Sequence, residues 1–178
     1  MKKTIRMAAA VVALCFALTA SYGYCSELTD MTLSKRPIKV YLGEFTNASG
    51  QDQISADMFK KEVERALTER RSVSFAIVKS APESDVQVSA TIKSYQYLEA
   101  DPVKPSLGMI MILDAVTIEN YADLSAEFTV VNTATGGVAM KAELAGYAKR
   151  MMTPAESVPL VYDKLAKKFV ADTFGKGE

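Results

Sequence analysis

The chain has 178 residues, 21 basic and 21 acidic side chains, and no histidine. This composition excludes Ser-His-Asp and Cys-His catalysis and histidine-based metal sites, and no Gly-rich phosphate loop is present. A balanced charge also lacks the basic footprint of nucleic-acid binding. We therefore predict a protein that is not an enzyme and binds no cofactor, metal or nucleic acid, although a carboxylate pair, sufficient for glycoside hydrolysis, stays open.

Residues 1–24 have the three-part layout of a secretory signal peptide. A basic start (Lys2, Lys3 and Arg6) precedes an apolar run over 7–18 and a short stretch of mostly small residues. The run of about 12 residues is shorter than the roughly 20 that a membrane-spanning helix needs, so we expect removal after export. Removal leaves 18 basic and 21 acidic residues, a net charge of −3.

Cys25 follows this segment directly, at the place where bacterial lipoproteins are cleaved and acylated. Tyr22 and Tyr24 stand where a lipobox usually has leucine and a small residue. The alternative is ordinary cleavage after Ala20 or Gly23, which leaves Cys25 as a free thiol in an oxidising compartment. We predict lipidation of Cys25.

Lipidation also implies a location. Cys15 lies inside the removed segment and cannot pair with Cys25. Ser26 stands where lipoproteins retained in the inner membrane of enteric bacteria carry aspartate, so the similarity indicates the periplasmic face of the outer membrane. A soluble periplasmic protein is the alternative. We predict a tether over 25–36 and a single domain over 37–178.

The first part of the domain predicts a strand, a helix and two more strands. Apolar residues alternate over 38–42 and 73–77, as in half-buried strands. Between them, the apolar positions of 52–69 gather on one helical face, with Ser49 or Asp52 as the cap. The clearest alternation, over 86–92, is typical of a sheet covered on one face.

Tyr95 and Tyr97 follow that strand on its polar parity. They fit either aromatic packing at a sheet edge or contact with a partner, because tyrosine combines an apolar ring with a polar tip. Both are candidates for partner or lipid contact.

Pro102 and Pro105 then break the strand, and an apolar run over 107–113 obeys neither the helical nor the strand period. One interpretation is a strand buried on both faces, or a short helix covering an open end of the sandwich. The other is an adaptable surface that meets acyl chains, a membrane or a partner protein. The candidate contact residues in this run are Leu107, Met109, Met111 and Leu113.

The last part predicts a hairpin and a helix. Alternating segments over 122–130 and 138–144 flank a turn. A capping-box pattern at 153–156 begins the helix, although Pro159 leaves a later start open. Small residues, among them Gly146, would let this helix lie close to the hairpin. The order predicts an α+β fold, a two-layer sandwich of a mostly antiparallel sheet of about five strands with two helices on one face.

These features resemble small bacterial envelope lipoproteins. The resemblance is carried by the candidate lipidation cysteine, the helix over 54–67, and the segments IKVYLGEFTN (38–47), SDVQV (84–88), IKSY (92–95) and FTVVNTATGG (128–137). It is nearest to the LPS-assembly lipoprotein family and the auxiliary lipoproteins of envelope lipid transporters. Curli-secretion-type lipoproteins share the early strand-helix-strand part.

The resemblance implies a non-catalytic lipoprotein that supports assembly or transport of outer-membrane material by binding an envelope protein. A periplasmic module that binds a lipid or another apolar small molecule is the alternative. No ligand-binding residue can be transferred from these families position by position.

Overall fold

The computed structural model describes residues 36–99 and 119–175, together with Leu28 and Met31. Cys25 and the run over 107–113 lie outside the described residues. The elements in chain order are β1 (Ile38–Asn47), α1 (Ala56–Glu69), β2 (Phe75–Val78), a 3-10 turn (Ala81–Glu83), β3 (Val86–Leu98), β4 (Asn120–Asn132), β5 (Val138–Arg150) and α2 (Pro154–Thr173).

The five strands form one sheet in the order β2-β1-β3-β4-β5. β1 pairs in parallel with both β2 and β3. The longer pairings, β3 with β4 and β4 with β5, are antiparallel. Both helices cover one face of this sheet, so the predicted α+β sandwich with a mostly antiparallel sheet is confirmed.

Aromatic rings join the two layers at the centre of the core. Phe59 of α1, Phe128 of β4 and Phe169 of α2 are fully buried. Phe128 lies between the other two rings, with centroids 5.9 Å from Phe59 and 4.2 Å from Phe169. Burying a side chain of this size stabilises a fold by about 1.5–3 kcal/mol, so this stack is a main link between helices and sheet.

The first helix begins later than the sequence predicts. Its cap is Ser55, whose hydroxyl accepts a hydrogen bond from the amide of Met58, and not Ser49 or Asp52. The Asn47 side chain donates to the carbonyl oxygens at positions 51 and 54, which holds the preceding residues in a turn.

The second helix begins at the predicted capping box. The Thr153 hydroxyl accepts from the amide of Glu156, whose carboxylate accepts from the amide of Thr153. The helix therefore starts at Pro154 and Pro159 lies within it. Leu165 packs directly over Gly146, where a Cβ atom would lie only 2.6 Å from the Leu165 amide nitrogen. The expected close approach of this helix to the hairpin is confirmed.

Two residues of the predicted tether pack on the domain. Leu28 is helical, only 4% exposed and part of the core cluster, and Met31 packs against that cluster. Both apolar side chains are held against the domain, while the rest of the predicted tether over 25–36, apart from Arg36, lies outside the described residues.

Candidate partner-binding surface

A β-bulge reverses the side-chain parity near the end of β3. Ile92 pairs with Ala126, but Ser94 pairs with Ser125, so one extra residue of β3 lies between the two pairs. An extra residue in one strand turns the following side chains to the other face. Tyr95 and Tyr97 therefore point toward the helices. The expectation that they lie on the polar face of the strand is wrong.

Tyr95 lies inside the sandwich. It is 4% exposed, and its hydroxyl is 2.5 Å from the Ser157 hydroxyl at the start of α2. β3 is also the central strand, so Tyr95 does not pack at a sheet edge. The structure offers no room at this residue for the proposed partner contact.

Tyr97 is partly buried and fastens the connection between β5 and α2. Its hydroxyl donates to the Met152 carbonyl at 2.7 Å. The Asn120 side chain donates to that hydroxyl and to the same carbonyl, each at 2.7 Å. Desolvation raises the pKa of Tyr97, and the nearby charge of Glu99 adds to the increase, so the phenol is a neutral hydrogen-bonding group.

Exposed apolar side chains lie at the same end of the sheet, on β3 and β5 and on Met151, which directly follows β5. Leu98, Tyr147 and Met151 are 59%, 66% and 73% exposed. Tyr121 pairs with Leu98 across the strands and stacks on Tyr147, with ring centroids 6.3 Å apart. We call these four residues the apolar sheet end. Rings with polar tips and a flexible methionine are typical of protein interfaces.

Strand alternation alone could not identify this surface. Leu98 has the same parity as the buried Ile92, so only the bulge places it on the solvent face. The signal that could reveal the surface is the register of the β4–β5 hairpin. Tyr147 pairs with Asp123, and Tyr121 lies two residues before Asp123 on the same face of β4, so the register brings the two tyrosines together. β3 ends and β4 begins at this end of the sheet. The run with the other candidate contact residues, Leu107, Met109, Met111 and Leu113, lies outside the described residues.

Two shallow depressions lie on the described surface, one with a mainly polar lining and one with a mixed lining. One, of about 160 Å³, lies on the helix-free face of the sheet among hydroxyl groups, Glu44 and Glu127. Lys141 and Lys93 approach Glu127 at 3.3 and 4.0 Å, an arrangement typical of a structural ion pair. The other, of about 270 Å³, lies between the helices beside Glu69 and Lys167. The first has a polar lining and the second sets Ala66 and Val170 among charged side chains, so neither is the enclosed, mostly apolar pocket that an acyl chain needs.

No cluster of three or more metal-ligating side chains occurs within 36–99 and 119–175. Over the same residues, no helix is both long enough and apolar enough to cross a bilayer.

No protein-family model matches the chain, and no curated protein matches its sequence. Solved structures share its fold. The hypothetical protein CT253 of Chlamydia trachomatis is 12% identical with a TM-score of 0.54, covering 77% of this chain and 95% of that one. A PelC dodecamer from Paraburkholderia phytofirmans is also 12% identical, with a TM-score of 0.52 and coverage of 79% and 90%.

Bacterial lipoproteins are present among the weaker structural matches. The minor lipoprotein of Acinetobacter baumannii is 13% identical with a TM-score of 0.40, covering 75% of this chain and 90% of that one. The similarity to CT253 and PelC shows the fold alone, and the resemblance to LPS-assembly lipoproteins stays a prediction.

Proposed function

We propose that this protein is an exported, non-catalytic lipoprotein of the outer membrane, anchored through acylated Cys25, that supports assembly or transport of envelope material by binding a partner protein. The observation that carries partner binding is the apolar sheet end. Leu98, Tyr147 and Met151 expose apolar surface at one end of a sheet whose other face forms a buried apolar core with the helices. Grouped exposed apolar residues mark interaction sites more often than scattered ones do.

The position of Leu28 supports anchoring close to the membrane. Cys25 precedes Leu28 by three residues, which can span at most about 10 Å of extended chain. Because Leu28 is buried in the domain core, an acyl group on Cys25 would hold the domain against the bilayer. Short anchoring of this kind restricts which envelope proteins the apolar sheet end can reach.

Lipid binding is the weaker alternative for the described part of the molecule. Of the two depressions described above, one has a mainly polar lining and the other a mixed lining that includes Glu69, Arg70 and Lys167, whereas sites for apolar ligands are mostly apolar concave pockets. We therefore favour a protein partner over a lipid cargo.

Intact mass spectrometry of the protein purified from its native envelope tests the anchor. We expect a mature chain that begins at Cys25 and carries acyl groups, found in the outer-membrane fraction. Cys25→Ala should abolish both the added mass and the membrane association. An unmodified N-terminus that begins before Cys25 would refute the anchor.

Co-purification from gently solubilised envelopes tests partner binding. We expect one envelope protein to be retained in stoichiometric amount by the wild type, and to be lost from a Leu98→Ser/Met151→Ser variant. Met58→Ser is the matched control, because Met58 is 55% exposed on α1, away from this surface. Retention of lipid without protein would contradict the proposal, as would equal retention by both variants.

A further inference from the structure

The two edges of the sheet differ in length. β2 has four residues, whereas β5 has 13, none of them proline. Within the described strands, nothing pairs with the outer side of β5. A long edge presents a row of amide and carbonyl groups that another extended chain can pair with.

A hydrogen bond from α2 identifies outward-facing backbone in this edge. The Lys168 ammonium donates to the Ala145 carbonyl oxygen at 3.3 Å. Backbone groups of an antiparallel strand alternate between its two sides. The peptide groups of Glu143 and Tyr147 therefore share the outward direction of Ala145. An incoming strand would displace the exposed Lys168 side chain from the Ala145 carbonyl.

The packing of α2 on Gly146 leaves a visiting strand room only in the plane of the sheet. Leu165 packs directly on Gly146, so α2 closes the helix face of β5 up to its edge. On the helical stripe beside that edge, Lys164 and Lys168 lie one turn apart and are both exposed.

The side chains along this edge are mainly basic in a domain that is acidic overall. We define the β5 edge as the outer side of β5 with the adjoining stripe of α2. Its charged residues are Lys141, Lys149, Arg150, Lys164 and Lys168 against Glu143 and Asp172. Lys141 and Lys149 are balanced by glutamates at 3.3 and 2.9 Å, which leaves the excess charge mainly on the helix side.

We propose that the β5 edge binds an extended, acidic segment of a protein partner as an additional β-strand. Backbone hydrogen bonds to the outward groups near Ala145 supply the pairing, and Lys164 and Lys168 select acidic side chains. A second copy of this chain is disfavoured, because pairing β5 with β5 would bring two lysine-rich edges together. This inference deepens the proposed function by giving the chemistry of the partner segment, and it rests on that function for its biological setting.

Fluorescence anisotropy with a synthetic peptide tests the inference on the full mature chain. The probe is an acetylated peptide of about eight residues that alternates valine and glutamate, long enough to pair with most of β5. We expect saturable binding that weakens as salt is raised. A lysine-for-glutamate peptide should not bind, and an alternately N-methylated peptide of unchanged charge should bind at least about tenfold more weakly, since methylation removes donors.

Protein variants separate charge from backbone pairing. Lys164→Glu/Lys168→Glu should weaken peptide binding about tenfold, whereas the matched charge change Lys61→Glu/Lys79→Glu on distant exposed lysines should not. Ala145→Pro removes an outward amide and should weaken binding with little loss of melting temperature, because proline is tolerated where the N–H faces solvent. Should that variant unfold, the N-methylated peptide still tests pairing.

Equal binding by the two lysine variants would overturn the inference, as would full binding of the N-methylated peptide. Absence of peptide binding, whether because a second copy or residues 100–118 occupy the edge, would also overturn it. Slower amide exchange at Glu143, Ala145 and Tyr147 on peptide addition would support it. Because the experiment uses purified protein, its result does not depend on acylation of Cys25 or on co-purification of a partner.

Discussion

Replacing Gly146 with alanine is expected to destabilise the domain strongly for so small a change. The added Cβ would lie 2.6 Å from the Leu165 nitrogen and 2.8 Å from its Cα, whereas ordinary contacts of this kind are about 3.5–4 Å. Both neighbours are backbone atoms of α2, so relief requires the whole helix to move by about 1 Å. Overpacking of this kind costs about 1–3 kcal/mol.

We expect Gly146→Ala to reach the upper part of that range, about 2–3 kcal/mol, and to lower the melting temperature by about 5–10 °C in a domain of this size. Thermal and urea unfolding followed by circular dichroism measures both quantities. Gly137→Ala is the matched control, since its Cβ would meet only the Thr135 hydroxyl, at 3.3 Å. Truncating the neighbour with Leu165→Ala should not rescue Gly146→Ala. A Gly146→Ala variant as stable as the wild type would refute the described packing of α2 on β5.

Three further predictions concern hydrogen bonds and charge. Tyr97→Phe should lower the free energy of unfolding by about 1 kcal/mol, because it removes the hydroxyl shared with Met152 and Asn120; Tyr147→Phe, in an exposed ring, should change it little. Arg70→Ala should cost about 1–2 kcal/mol in urea unfolding, because the guanidinium caps carbonyl groups at the end of α2; Arg71→Ala is the exposed control. Desolvation raises the pKa of Asp163, but hydrogen bonds with Lys167 and Arg65 lower it more, and the net direction is downward. A carboxyl with a depressed folded-state pKa stabilises above its unfolded pKa of about 3.9, and this stabilisation is lost as the pH falls through the folded value. Asp163→Asn should therefore reduce the loss of stability between about pH 5 and pH 2, and an unchanged pH profile would contradict the ion pairing.

Periodic patterns predicted the elements because each buries one face. The alternation over 86–92 and the capping box at Thr153 depend on neighbours in sequence, and both correspond to observed elements. The absence of a side chain at Gly146 likewise indicated where α2 lies close to the sheet. Local patterns of this kind are visible without knowing which strands pair.

Features that depend on pairing could not be predicted in the same way. The extra residue beside Ile92 leaves no local signature, yet it moves Tyr95 into the core and Leu98 onto the surface. The start of α1 at Ser55 depends on the Tyr162 hydroxyl, 107 residues away, which accepts from the Ser55 amide. The apolar sheet end therefore became visible only when register brought its residues together.

Site-specific photo-crosslinking in the native envelope tests the central claim most directly. A photoreactive phenylalanine analogue placed at Tyr147, in the apolar sheet end, should give one dominant adduct with an envelope protein. The same analogue at Met58, exposed on the opposite layer, should not. Absence of an adduct at Tyr147, or the same adducts from both positions, would contradict the account of this end of the sheet as the partner-binding surface.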